Sequence, residues 1–146
     1  MSDRVQEQIV TLQSQEDPDL RRQAAEELAE HPTPDVIVAL AASLADHNKG
    51  VRDGAGRSLA AIGGPEVARS IVSYIAHENI VFRNLAAELL YRLGEDSIQA
   101  LEPYLHDPEQ DVRKMAVDIL GLLRHKDAAT AIIPLLYDQD PNVVVS

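Results

Sequence analysis

The chain has no cysteine and no tryptophan, and only one phenylalanine and four tyrosines among 146 residues. Without thiols it can form no disulfide, iron–sulfur cluster or thiolate zinc site. With 3% aromatic residues it lacks the faces on which single-stranded bases stack. Basic residues are outnumbered, 13 Lys and Arg against 24 Asp and Glu, for a formal net charge of −11. Such a field repels phosphate backbones and anionic lipid, so neither nucleic acid nor a membrane surface is an expected partner. No apolar run reaches bilayer length, and no signal-peptide pattern opens the chain. With the absence of cysteine, this points to a cytoplasmic location.

Apolar residues make up 45% of the chain and charged residues 25%, as in an ordinary folded protein, and the length predicts one domain over 1–146. With so few aromatics the core must come from Leu, Ile, Val and Ala. The chain also repeats itself. Leu20-Arg21, Val51-Arg52, Phe82-Arg83 and Val112-Arg113 are four copies of one pair, with the arginines 31, 31 and 30 residues apart. Three positions after each arginine stand Ala24, Ala55, Ala86 and Ala116; seven after stand Leu28, Leu59, Leu90 and Leu120; ten after stand His31, Ile62, Leu93 and Leu123. Periods of this size are the signature of stacked repeats.

Each unit divides into two helices. Apolar positions −1, +3, +7 and +10 from the arginine share one face of the second helix. Turn signals such as Gly63-Gly64-Pro65 separate it from the next. The pattern predicts helices over 3–14, 18–30, 34–45, 49–62, 65–76, 79–93, 96–105, 110–124 and 127–137, in units of about 3–30, 34–62, 65–93, 96–124 and 127–146. Pro103 and Pro134 fall inside predicted helices, so kinks are expected there. Gly56 lies in a small-residue column that implies close packing, whereas Gly54 is expected to point outward. A single hairpin cannot bury its own stripe, so the expected fold is an all-α, right-handed α-solenoid of about four and a half hairpins.

The motif Asp-x-x-x-x-Val-Arg-x-x-Ala-x-x-x-Leu-Gly is complete in Asp107, Val112, Arg113, Ala116, Leu120 and Gly121, and nearly so in Asp46, Val51, Arg52, Ala55 and Leu59. These residues resemble HEAT-type repeats of the short-unit branch named after phycobilin lyases. The resemblance runs from about residue 15 to 146. It implies the helical stack, and for function it leaves scaffolds, chaperones, lyases and nucleic-acid enzymes open. The repeated Asp and Arg read as a structural ladder of charge-assisted bonds formed by Asp46, Arg52, Arg83, Asp107, Arg113 and Asp138. His77 stands where unit three should carry Asp, so Arg83→Ala is expected to cost less than Arg113→Ala.

Catalytic and metal sites are not expected, and no cofactor is. His47, His77 and His106 lie in successive turns about 9–10 Å apart, too far to share one ion with bonds near 2.0–2.1 Å. The acidic stretches at 16–19, 107–111 and 138–140 precede helix starts, where capping and dipole compensation explain them. Deoxyhypusine hydroxylase is similar in architecture, and that resemblance implies iron-binding His-Glu pairs just after the repeat arginine. Here those positions hold Arg22-Gln23, Asp53-Gly54, Asn84-Leu85 and Lys114-Met115. No Gly-x-Ser-x-Gly elbow or phosphate loop occurs.

A curved stack presents its second helices on the concave face. Leu85, Met115, Leu122 and Tyr91 are apolar at offsets where solvent-facing residues are expected, among the charged Arg57, Glu88, Arg92, Lys114 and Asp118. These nine residues are the expected partner-binding surface, with Tyr91 and Arg92 as anchors. The reading is a non-catalytic protein–protein interaction scaffold. The alternatives are a lyase or chaperone acting on a bilin-bearing protein, which the resemblance implies, and a HEAT-like DNA-binding enzyme, which the charge disfavours. The fifth unit is cut short on Val143-Val144-Val145. It implies a piece of a longer repeat protein, or end-to-end self-association through an uncapped end.

Overall fold

Short polar side chains set where five of the helices begin. Ser2 accepts the Val5 N–H, Asp17 the Asp19 N–H, Thr33 the Val36 N–H, Asn48 the Val51 N–H and Asn79 the Val81 N–H. Each satisfies a donor that the first helical turn leaves open. Pro18, Pro34 and Pro65 occupy first-turn positions that need no amide donor. The computed structural model describes residues 2–123. Its helices are α1 (Asp3–Ser14), α2 (Pro18–Glu27), α3 (Pro34–Ala42), α4 (Lys49–Ile62), α5 (Pro65–Ile71), α6 (Ile80–Leu93), α7 (Ile98–Leu101) and α8 (Gln110–Leu123). No strand occurs among the described residues, and the successive hairpins are those of an all-α repeat solenoid. None of these helices is long and apolar enough to cross a membrane. The expected helix at 127–137, its Pro134, the ladder residue Asp138 and the apolar end lie outside the described residues.

The chain forms two compact units, Met1–Ser70 and Ile71 onward. In the first, α2 packs on α1 and α4, and α3 closes against α4. In the second, α6 and α8 pack together, with α7 and the turns at Val72–Ala76 and Glu102–His106 against them. The repeat columns explain the seams. The Ala column (24, 55, 86, 116) and the Leu column (28, 59, 90, 120) are all at most 1% exposed. The +10 column is not core: His31 is exposed, and Ile62, Leu93 and Leu123 are half-buried. Its place is taken by offset +6, where Ser58, Leu89 and Ile119 are buried. Offset +10 lies three residues beyond the last core position, at the helix end, where the chain already turns away. Leu20 also departs from the pattern: it is 42% exposed.

The first helices of the second, third and fourth hairpins, α3, α5 and α7, finish in tight 3-10 turns at Ser43–Ala45, Val72–Ala76 and Glu102–His106. Only the last contains proline, so Pro103 marks a general feature and does not cause an isolated kink. The tightened turns carry Leu44, Ile75 and Leu105, one repeat apart and buried, so the narrowing serves to seat that aliphatic residue.

Gly54 corrects the outward placement. It is buried facing α2, where an added Cβ would meet Arg22 Cγ at 3.4 Å and Glu26 Cγ at 3.7 Å. Both belong to flexible side chains, and the backbone atom in reach, the Arg22 carbonyl oxygen at 3.7 Å, is at ordinary contact distance. Gly54→Ala should therefore gain about 0.5–1 kcal/mol from helix propensity. Gly94 has φ +64, which an L side chain resists, so Gly94→Ala should lose about 1 kcal/mol. Circular-dichroism melts of the two variants should move in opposite directions; a fall for Gly54→Ala would mean that α2 cannot yield at this contact.

Candidate functional site

The repeat arginines hold the turns together. Arg21 grips Asp46 with two bonds, Nε to Oδ2 at 2.9 Å and Nη2 to Oδ1 at 3.1 Å. Its Nη1 also donates to the carbonyls of Gln15 and Glu16. Arg52 makes the same carbonyl bonds to Asp46 and His47, and Arg113 to Asp107 and Pro108. The Asp46 carboxyl is pushed up by burial, but bonds from Arg21 and the Asn48 N–H outweigh this and leave it below its ordinary pKa. The bond to Asp46, working against desolvation, raises Arg21. Burial raises the phenols of Tyr74 and Tyr104, and the charge of Asp107 adds to the effect at Tyr104.

The Arg21 geometry shows that the carboxylate partner lies in the following hairpin. By that step Arg83 corresponds to Asp107, not to His77, so the expected reason for a weak Arg83 does not hold. Arg83 and Asp107 nonetheless form no ion pair, and the buried Arg83 Nε has no hydrogen-bond partner among the described residues. Asp107 instead accepts the Glu109 N–H at 2.9 Å. His77 does the work of the missing Asp through Nδ1, which accepts the Asn79 N–H at 2.9 Å. Its ring lies between Tyr74 and Phe82, with centroids at 6.0 and 5.0 Å. The sequence-based ladder omitted Arg21, although Leu20-Arg21 heads the same column. No three His, Asp or Glu side chains among the described residues are grouped to hold a metal ion.

In the second unit, α6 and α8 leave a groove of about 380 Å³ between them. Helix α6 contributes Ala87, Glu88 and Tyr91. Helix α8 contributes Asp111, Lys114, Met115, Asp118, Ile119 and Leu122, which recur at the three- and four-residue steps of one helical face. Tyr91 is 49% exposed and Leu122 63%. At the rim, Arg92 pairs with Glu88 and Lys114 with Asp118, each at 3.0 Å and each highly exposed. Asp111 has no ion pair among the described residues.

The first unit provides an internal comparison at the same repeat offsets. There Arg22 donates to Glu26 at 3.1 Å, and Arg57 donates to the same carboxylate at 3.1 Å. The Arg22 stem lies against Gly54. Where α6 and α8 carry Leu85, Met115, Tyr91 and Leu122, the first unit carries Gln23, Gly54, Ala29 or Ala60, and Ala61. Charged pairs over small residues are therefore enough for this helix packing, and the second unit's large apolar residues exceed what it requires.

Of the nine expected surface residues, Glu88, Tyr91, Lys114, Met115, Asp118 and Leu122 meet at the groove, and Arg92 stands at its rim through Glu88. Arg57 belongs to the first unit and pairs with Glu26. Leu85 is half-buried and does not line the groove. Ala87, Asp111 and Ile119 were missed, although continuing the helical face by three and four residues from Lys114, Met115 and Tyr91 reaches all of them.

The sequence pattern of HEAT repeats matches residues 7–91 and 98–145. No curated protein matches the chain. Among solved structures, one engineered protein is 19% identical with a TM-score of 0.48, over 97% of this chain and 75% of that one. A second engineered protein is 21% identical with a TM-score of 0.45, over 98% of this chain and 45% of that one. Human deoxyhypusine hydroxylase in complex with glycerol is 16% identical with a TM-score of 0.53, over 95% of this chain and 69% of that one.

Proposed function

Because this chain belongs to the HEAT-repeat family, we propose that it is a non-catalytic protein-binding module whose partner occupies the groove between α6 and α8. Repeat arrays of stacked helices characteristically present extended binding surfaces. The observation that carries the reading is the contrast between the two units: where the first holds Ala29 or Ala60 and Ala61, the second holds the exposed Tyr91 and Leu122. Exposed aromatic and aliphatic residues lining a groove are what a partner's desolvated anchors need. The non-enzymatic part of the reading rests on the sequence, where the four positions after the repeat arginines hold no His-Glu pair. The 30–31-residue spacing and the Val-Arg-x-x-Ala pattern support placement in the short-unit, phycobilin-lyase-type branch.

Affinity purification from the native host tests the binding role. A Tyr91→Ala, Leu122→Ser double variant should lose the proteins retained by the unaltered chain, while Arg57→Ala keeps them. Both exposed positions are peripheral to the core, so the thermal midpoint should change by no more than about 2 °C. Equal retention by the double variant would overturn the reading.

A further inference from the structure

We propose that the occupant of the α6–α8 groove is an arginine-bearing amphipathic segment of a protein partner, whose apolar residues enter the groove while its guanidinium groups meet the acidic rim; this rests on the groove being a protein-binding site. Among the described residues the groove's charged lining is Glu88, Asp111, Asp118 and Lys114, with Arg92 at the rim beside Glu88, three carboxylates against two cations. It is thus net negative, in a chain of net charge −11. An acidic or neutral segment would enter against this field, and a basic one is drawn along it.

The rim is able to change partners. The Glu88–Arg92 and Lys114–Asp118 pairs join neighbours on the same helix, with all four side chains more than half exposed. Pairs of this kind are weak and open at little cost. Glu88 and Asp118 can therefore turn to an incoming cation, and Asp111 has no ion pair to give up among the described residues. Tyr91 lies one turn beyond Glu88 on the same face of α6 and presents an exposed ring. A ring beside carboxylates suits a planar guanidinium, which stacks on the one and forks onto the other, better than it suits an ammonium.

Length is set by α8. Its lining runs from Asp111 to Leu122, about 16 Å along the helix axis. That matches roughly three helical turns of a partner, enough for two or three apolar residues at three- and four-residue steps.

Selection from a library of displayed random peptides, each about 15 residues long, against the full chain tests this directly. Enriched peptides should combine arginine with apolar residues at helical spacing. Their affinity in fluorescence anisotropy should drop about tenfold with Glu88→Gln, Asp111→Asn, and should fall as salt rises. The Tyr91→Ala, Leu122→Ser variant should lose binding. Enrichment of neutral or acidic peptides that still need Tyr91 and Leu122 would overturn the charge assignment and leave the groove's binding role standing. No enrichment, or enrichment indifferent to Tyr91 and Leu122, would overturn both. Concentration-dependent dimers in sedimentation that vanish with the Tyr91→Ala, Leu122→Ser variant would identify a second copy of the chain as the occupant and overturn the proposal.

Discussion

Replacing Arg21 with alanine is expected to destabilise the chain by about 2–3 kcal/mol, a fall of roughly 5–10 °C in thermal midpoint. Arg21 and Asp46 are only 17% and 14% exposed, and removing Arg21 leaves a largely buried carboxylate with the Asn48 N–H but no cation to offset its charge. The loss also frees the carbonyls of Gln15 and Glu16, which Arg21 bridges. Arg83→Ala is the control: it removes no bond among the described residues and relieves the buried, unsatisfied Nε, so it should cost under about 1 kcal/mol. Equal losses would show that the arginines act by packing alone.

The same pair sets an acid dependence. Asp46 has its carboxyl pKa lowered in the folded chain, so its stabilisation is complete above the unfolded value, near 4. It drains away as pH falls through the lower folded value. Arg21, raised from an already high value, stays charged throughout. Urea melts should therefore show a deficit for Asp46→Asn at neutral pH that shrinks in acid. A gap that stays constant in strong acid would contradict the ion pair as its source.

The second large effect is in the core. Leu59→Ala should cost about 3 kcal/mol, or roughly 10 °C. Leu59 is fully buried, and the close-packed Ala column beside it leaves the α2–α4 seam little room to collapse into the cavity. Leu93→Ala, at the half-buried +10 position, should cost about 1 kcal/mol. The two substitutions remove the same atoms from the same kind of helix, so denaturant melts compare repeat positions directly. A Leu93 loss equal to that of Leu59 would restore the wider stripe that period alone suggests.

Periodicity reached that stripe because 3.6-residue spacing places −1, +3, +7 and +10 on one side of an ideal helix. It does not register where a neighbouring helix ends, and so it missed that Leu93 and Leu123 lie beyond the seam. Gly54 escaped for a related reason: a face is assigned from a residue's own helix, whereas its burial comes from the Arg22 stem crossing over from α2. Six of the nine surface residues were legible because the groove follows one face of α6 and one of α8. Leu85 and Arg57 were grouped with them because a column lists equivalent positions without regard to what each unit places beside them.

Residue order alone determined the helix starts, through Asp, Asn, Ser, Thr and Pro at the turns, and the seams, through Ala and Leu recurring at 30–31 residues. Both are local or strictly periodic, and backbone geometry turns them into structure without reference to distant atoms. Tertiary structure alone decided that Arg21 reaches Asp46 while Arg83 does not pair with Asp107, and that α6 and α8 leave an open, acid-rimmed groove. Those outcomes depend on separations between side chains of different helices, where a shift of an ångström or two makes or breaks a hydrogen bond.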